Sequence, residues 1–237
     1  MSKRVAIVQS NYIPWKGYFD LIGWCDEFIL FDDVQYTKRD WRNRNLIKTQ
    51  NGLLWLTMPV EVKGKFTQRI CDSVISLENK NWASKHLSSI EQNYAKAKYF
   101  QQYHSWLRDL YARAESERFL SKINHAFLIA ICEILEIKTK ITWSMDYGVI
   151  DGKNERLMDL CRKSGANEYL SGPAAKEYMD TTLFSDQGIK VIFADYSNYP
   201  EYTQLHPPFQ HGVTVMDLIF NEGPKAREFM KFPAGLN

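Results

Sequence analysis

The chain has 237 residues, 45% of them hydrophobic and 24% charged, a composition that excludes a disordered polymer and fits one globular domain over residues 1–237. A formal net charge of +2 is too small to mark a nucleic-acid binder, so any basic function has to be local. No apolar run is long enough to cross a bilayer, and "MSKRVAIVQSNYIPW" carries neither an extended apolar stretch nor a small-residue cleavage site, so a cytoplasmic protein without a membrane span is expected.

"RVAIVQ" is a β-branched run that reads as a buried first strand. "NYIPWKGYFDLIGWCD" follows as a loop and a helix, with Pro14 suited to the first turn and Asn11 able to cap it. "EFILFDD" is a second buried strand, so residues 4–33 form a β-α-β unit whose crossover favours a parallel sheet. Beyond the loop that follows, Asn51-Gly52 signals a turn ahead of the strand "NGLLWLTMPVEV", which is expected to form a β-extension with "RICDSVISL".

From Trp82 the period changes. Trp82, His86, Ile90 and Tyr94 recur every four residues, as do Phe119, Ile123, Phe127, Ile131 and Leu135, which predicts a helical insertion over about 82–137. The α/β pattern then resumes. "KITWSMDYGV" reads as a strand, "NERLMDLCRKSGA" as a helix closed by Gly165, "EYLSG" as a strand, "AAKEYM" as a helical turn and "GIKVIFADY" as a strand. "VTVMDLIFNEGP" is a last helix stopped by Gly223-Pro224. The fold class is therefore α/β with a parallel, Rossmann-like sheet, a β-extension and a helical insertion.

The stretch "DDVQYTKRDWRNRN" leaves the carboxyl end of the second strand, where open α/β sheets place their ligand crevice. Lys38, Arg39, Arg42 and Arg44 stand there against Asp40. Arginine forks match phosphate oxygens, while Asn43 and Asn45 add neutral donors. The loop "SNYIPWKG" arrives at the same rim with a helix N-terminus that favours anions. A phosphorylated ligand fits this set. Two alternatives stand beside it: a solvated loop whose arginines pair with Asp32, Asp33 and Asp40, and single-stranded nucleic acid stacked on Tyr36 and Trp41. Asp32 or Asp33 could act as a general base or hold Mg²⁺, but neighbours in extended chain point to opposite faces, so one of the two at most is expected to face a ligand.

Together, "QSNYIPWKGYFDLI", "DDVQYTKRDWRNRNLIKTQNG", "WLTMPV", "YLSGPAAKEY" and "DLIFNEG" resemble the WbqC-like family, bacterial proteins often encoded among genes for O-antigen and other surface polysaccharides. The likeness runs from about Val5 to about Gly223. Ser10 departs from it, since the family more often shows proline there. The resemblance implies a transferase in surface-polysaccharide biosynthesis that attaches an acyl or aminoacyl group to the amine of a nucleotide-linked amino sugar. The donor it implies is a thioester of CoA or of an acyl carrier protein, and the basic loop would grip a diphosphate or a phosphopantetheine. More distantly, the first β-α-β unit is similar to HIGH-signature (HUP-like) nucleotidyltransferases, but "NYIPWKGYF" has no histidine, which puts nucleotidyl chemistry in doubt.

An amide-forming transfer needs a proton acceptor, because an ammonium must lose a proton before it attacks a carbonyl. His206 and His211, in the Pro-rich loop "QLHPPFQHG", are candidates, whereas His86 and His125 lie in helical periods as structural histidines and His104 is no more distinctive. The expected catalytic set is Asp32, Asp33 and His206. The expected substrate-binding set is Gln9, Asn11, Tyr12, Trp15, Lys16, Gln35, Tyr36, Lys38, Arg39, Trp41, Arg42, Asn43, Arg44, Asn45, Ser171 and Lys176. Ser171 could equally cap the helical turn after it.

No metal site is expected, because Cys25, Cys71, Cys132 and Cys161 are widely separated and form no C-x-x-C pair. P-loop, G-x-G-x-x-G, G-x-S-x-G and H-E-x-x-H motifs do not occur. Two further readings remain: a non-catalytic protein that docks an acyl carrier or a glycosyltransferase, and an ATP-dependent ligase.

Overall fold

The computed structural model describes residues 2–233 apart from 80 and 149. Strand β1 (Arg4–Val8), helix α1 (Lys16–Gly23) and strand β2 (Glu27–Leu30) form the opening β-α-β unit, with Ile7 opposite Ile29 in a parallel ladder. The chain next makes a hairpin of β3 (Arg44–Thr49) and β4 (Gly52–Thr57), then three helices, α2 (Trp82–Tyr94), α3 (Phe100–Ser116) and α4 (Leu120–Ile134). It returns as β5 (Lys140–Trp143), α5 (Asn154–Lys163), β6 (Glu168–Ser171), α6 (Thr182–Ser185), β7 (Lys190–Phe193) and α7 (Val215–Glu222).

Five strands make one parallel sheet in the order β5-β2-β1-β6-β7. Its three central strands, β1, β2 and β6, are largely apolar on both faces because both are covered. Val5, Ile7, Ile29 and Tyr169 pack with Leu157, Leu160 and Cys161 of α5 and Phe184 of α6. Ala6, Phe28, Leu30 and Leu170 point the other way, into a core shared with α1, α7 and helices α2–α4. The chain builds outward through β2 and β5, then crosses back to β6. The order therefore reverses between β1 and β6, and at such a reversal the loops leaving the carboxyl ends diverge and open a crevice.

Two expectations need correction. The β-extension is mainly the hairpin β3–β4: Gln50 and Asn51 make the bend and Thr49 faces Gly52, so the turn returns the chain onto the segment just before it, and the expected partner "RICDSVISL" meets only the end of "NGLLWLTMPVEV", where the Glu61 amide donates to the Val74 carbonyl at 2.9 Å. Residues 69–75 instead form a short 3-10 turn, Ile70–Asp72, and isolated bridges from Gln35 to Arg69, Val60 to Ile75 and Val74 to Phe119. The predicted strand "KITWSMDYGV" ends at Trp143, where Asp146 takes the Trp143 amide at 3.0 Å and closes a 3-10 turn over Ser144–Tyr147. Val149, at its end, lies outside the described residues.

Candidate functional site

A cleft of about 860 Å³ opens at the carboxyl ends of β1 and β6. The loop after β1 supplies Gln9, Asn11 and Trp15, and the segment after β2 supplies Asp33, Gln35, Trp41 and Arg42. Ser171 and Gly172 come from the end of β6. A narrower recess of about 310 Å³ shares Asn11, Trp15 and Trp41 with the cleft and reaches Asn45 and His211.

The walls are held by the chain's own bonds. Tyr12 donates its amide to the Trp41 carbonyl at 3.0 Å, so the two loops are fixed to each other. The Asn45 amide donates to the carbonyls of Tyr12 and Ile13, both at 3.0 Å. Ile13 itself sits at φ 36°, a conformation a β-branched residue adopts only when its surroundings impose it. Ser10 donates its amide to Asp32 Oδ1 at 2.8 Å, a donor that a proline at this position would lack. Asn11 does not cap α1. Trp15 is at the N-cap, and the Asn11 side-chain oxygen accepts from the Arg42 guanidinium.

Trp15 folds back across the first turn of α1. A methyl group at Gly17 would come within 2.3 Å of the Trp15 ring. Gly17→Ala should therefore push the indole out of the cleft and weaken ligand binding by about tenfold, which a tryptophan-fluorescence titration can read directly.

Adjacent carboxylates diverge. Asp32 is fully buried and accepts from the Ser10 amide and the Ser121 hydroxyl of α4. Burial pushes its carboxyl up from the usual range, against those bonds and the nearby Arg42 charge. Asp33 faces the cleft instead, where the Ser144 hydroxyl donates to it at 2.6 Å and Arg156 of α5 pairs with it at 2.6 Å.

Only Arg42 of the four loop cations reaches the cleft; Asp40 lies 3.7 Å from its guanidinium. Lys38 stands near the Phe66 ring at 5.8 Å and Arg39 is exposed at φ 57°. Arg44 begins β3, and its guanidinium lies 4.0 Å above the Trp55 ring on the hairpin.

Other expected contacts are interior. Tyr12 is fully buried, its hydroxyl bonded to His86 Nδ1 at 2.9 Å and to the Tyr111 hydroxyl at 2.6 Å. Tyr36 is buried under the 66–69 segment, with its amide donated to the Gln68 carbonyl at 2.9 Å. Asn43 donates to the Met58 carbonyl at 2.8 Å. Lys16 donates to the Pro200 carbonyl at 2.9 Å under Tyr199, and burial lowers its ammonium to about 8, against the Asp20 and Glu201 charges. Lys176 is exposed near Phe193, and His206 Nε2 lies 3.0 Å from the Asn93 carbonyl, away from the cleft. Ser171 caps no helix; Gly172 occupies the position before the 3-10 turn Pro173–Glu177.

Lys153, Arg156, Tyr178 and Tyr196 also line the cleft. Lys153 sits 4.0 Å from the Tyr178 ring. A signal for the two cations was present in "DGKNERL": a helix that follows a parallel strand starts at the carboxyl edge of the sheet, so its first turn faces the crevice.

These features define a doubly wound, Rossmann-like α/β protein with a polar, cationic cleft at its topological switch point. The chain belongs to the WbqC-like protein family, which residues 9–229 match. It is also similar to an uncharacterized protein of Mycobacterium tuberculosis, 48% identical over 230 residues that cover 97% of this chain and 98% of that one. No solved structure matches it. Among the described residues, no helix is long and apolar enough to cross a membrane.

Proposed function

We propose that this chain is a cytoplasmic transferase of surface-polysaccharide (O-antigen) biosynthesis that attaches an acyl or aminoacyl group to the amine of a nucleotide-linked amino sugar. The observation that carries this reading is the meeting of Arg42 and Arg156, from two separate elements, in one aromatic-walled cleft large enough for a nucleotide sugar. Their forks suit the diphosphate. Trp15, Trp41, Tyr178 and Tyr196 line the same cleft and supply aromatic surface for the base and the sugar.

The reaction joins the sugar nitrogen to the carbonyl carbon of a thioester; the carbon–sulfur bond breaks and the thiol leaves with the proton that the nitrogen gives up. His211 is the better acceptor for that proton than His206. It borders the recess that shares Trp15 and Trp41 with the cleft, and partial desolvation, then the Lys16 charge, lowers its pKa against the Glu201 charge, whereas His206 turns to the Asn93 carbonyl. Asp33 already holds Arg156 and Ser144.

The test is product formation, read by mass spectrometry, with purified protein, UDP-linked amino sugars carrying a free amine, and a panel of acyl-CoA donors. Arg42→Ala should raise KM for the sugar nucleotide about ten- to a hundredfold, as loss of a charge-assisted contact does. Failure to bind or convert any sugar nucleotide would sink the reading. A second reading, docking of an acidic carrier protein, draws on Lys38, Arg39 and the exposed Phe66 beside the cleft. Binding of a carrier without turnover across the whole donor panel would favour it.

A further inference from the structure

The hairpin β3–β4 has two outer edges, and the chain occupies one of them. On β3, the Lys48 amide donates to the Tyr94 hydroxyl at 3.0 Å and the Leu46 carbonyl accepts from the Thr214 amide at 2.9 Å. The other edge belongs to β4. The Met58 amide donates across the hairpin to the Asn43 carbonyl at 2.8 Å, so by the alternation of an antiparallel ladder Leu54 and Leu56 also bond toward β3, while the N–H and C=O of Leu53, Trp55 and Thr57 point outward. His86 engages the Thr57 backbone. The outward groups of Leu53 and Trp55 have no partner among the described residues.

Edge strands are ordinarily guarded by a charge, a proline, a bulge or a covering loop. The strand "GLLWLT" holds no charged residue and no proline, and its register with β3 runs unbroken. Its apolar side chains stand open on both faces: Leu53 is 47% and Trp55 41% exposed on one, and Leu54 is 41% exposed on the other. Hydrocarbon cannot cover such an edge, because it leaves the backbone groups unsatisfied. A further antiparallel strand satisfies both needs at once, provided that it is itself uncharged and apolar on both faces. A second β4 has that composition.

From these free groups and this self-complementary pattern we infer that the edge of β4 pairs with the β4 edge of a second copy of this chain, across a two-fold axis at Leu54. The register follows from the free groups. Leu53 of each copy bonds to Trp55 of the other, and Leu54 faces Leu54. An axis at Trp55 would require the backbone of Thr57, which His86 holds, and an axis at Leu53 would run the pairing onto the turn at Asn51. Each exposed apolar side chain then meets another, Leu53 against Trp55 on one face and Leu54 against Leu54 on the other.

Charge does not oppose the pairing. Arg44 stands opposite Thr57, and the antiparallel arrangement sends the two Thr57 residues to opposite ends, about 20 Å apart along the strand and beyond the screening length of about 8 Å. The interface also adjoins the cleft, since the Trp55 ring lies 5.4 Å from that of Trp41, which lines it. The inference goes beyond the transferase reading and does not depend on it.

Sedimentation velocity of the full chain between about 1 and 100 μM should show a concentration-dependent dimer, as an interface of this modest extent gives. Leu54→Lys sets two ammonium groups against each other on the axis and should raise the dissociation constant at least about tenfold, with a urea midpoint in dilute solution close to the native one. Leu54→Cys should give a disulfide-linked dimer on mild oxidation, because residues facing each other in a pair without hydrogen bonds have Cα atoms about 4.5 Å apart. Thr57→Cys, also exposed, is placed too far from its counterpart to link and should behave as the native chain does. A monomer throughout the concentration range overturns the inference, as does a dimer indifferent to Leu54→Lys or cross-linking of Thr57→Cys as readily as of Leu54→Cys. Should Leu54→Lys fail to fold, the two cysteine variants decide the matter by themselves.

Discussion

Replacing Arg156 with alanine should destabilise the protein by about 3 kcal/mol and abolish most of its affinity for pyrophosphate. The reason is the burial of its partner. The Asp33 side chain is 1% exposed and the Arg156 side chain 18%, so removal of the guanidinium leaves a carboxylate in the interior with only the Ser144 hydroxyl to hold it. The guanidinium also lies 4.9 Å from the Phe31 ring, and that contact goes with it. Arg156→Lys should recover part of the stability but less of the binding, because an ammonium cannot hold a carboxylate and a diphosphate with one planar fork. Asp33→Asn should do the reverse: it removes the negative charge beside the ligand and releases the arginine, so pyrophosphate should bind several-fold more tightly. Urea denaturation and calorimetry on the three variants check these outcomes. An unchanged denaturation midpoint and unchanged pyrophosphate affinity in Arg156→Ala would contradict the role given to this residue.

Asp32→Ala should cost about 2 to 3 kcal/mol, because the buried Ser10 amide and Ser121 hydroxyl both lose their acceptor. The Ser10 amide begins the loop that presents Asn11 and Trp15, so ligand affinity should fall as well. Asp32→Asn keeps the shape and an acceptor for Ser10 and should cost under about 1 kcal/mol at pH 7. The pH dependence gives a second readout. Burial raises the Asp32 carboxyl above its ordinary value of 3.8 in the folded protein. A raised group contributes stability that is fully present below the unfolded value and is lost as pH rises through the folded one. The native protein should therefore gain stability relative to Asp32→Asn as pH falls toward 3.8, and the two curves should run parallel above the raised folded value. A native protein that loses stability relative to Asp32→Asn on acidification would contradict burial as the governing effect. A catalytic role for Asp32 would show instead as a fall in kcat in Asp32→Asn with stability unchanged.

The sheet was legible because its central strands are covered on both faces: "VAIV" and "FIL" are continuous apolar runs that need no partner to be recognised. The position of the crevice followed from the parallel order, which places loops 9–15 and 31–42 at one rim. Which side chains enter that crevice was less legible. Tyr12 sits between Asn11 and Trp15 in sequence, yet its hydroxyl meets His86 and Tyr111, contributed by helices remote in sequence. Arg44 looks like the last cation of a loop but starts a strand, and the hairpin register puts Trp55 under it. His206 and His211 share one short segment, and only the fold shows that the first turns to the Asn93 carbonyl while the second borders the recess. Arg156 carried a local signal, its place in the first turn of a helix that follows a parallel strand. Its pairing with Asp33 is a tertiary contact that no periodicity reports.

A crystal structure of the protein soaked with UDP tests the anion-binding cleft most directly. The diphosphate is expected at the carboxyl ends of β1 and β6, within hydrogen-bonding distance of both Arg42 and Arg156. A diphosphate seated on Lys38 and Arg39 outside the cleft, or none bound at saturating UDP, would contradict it.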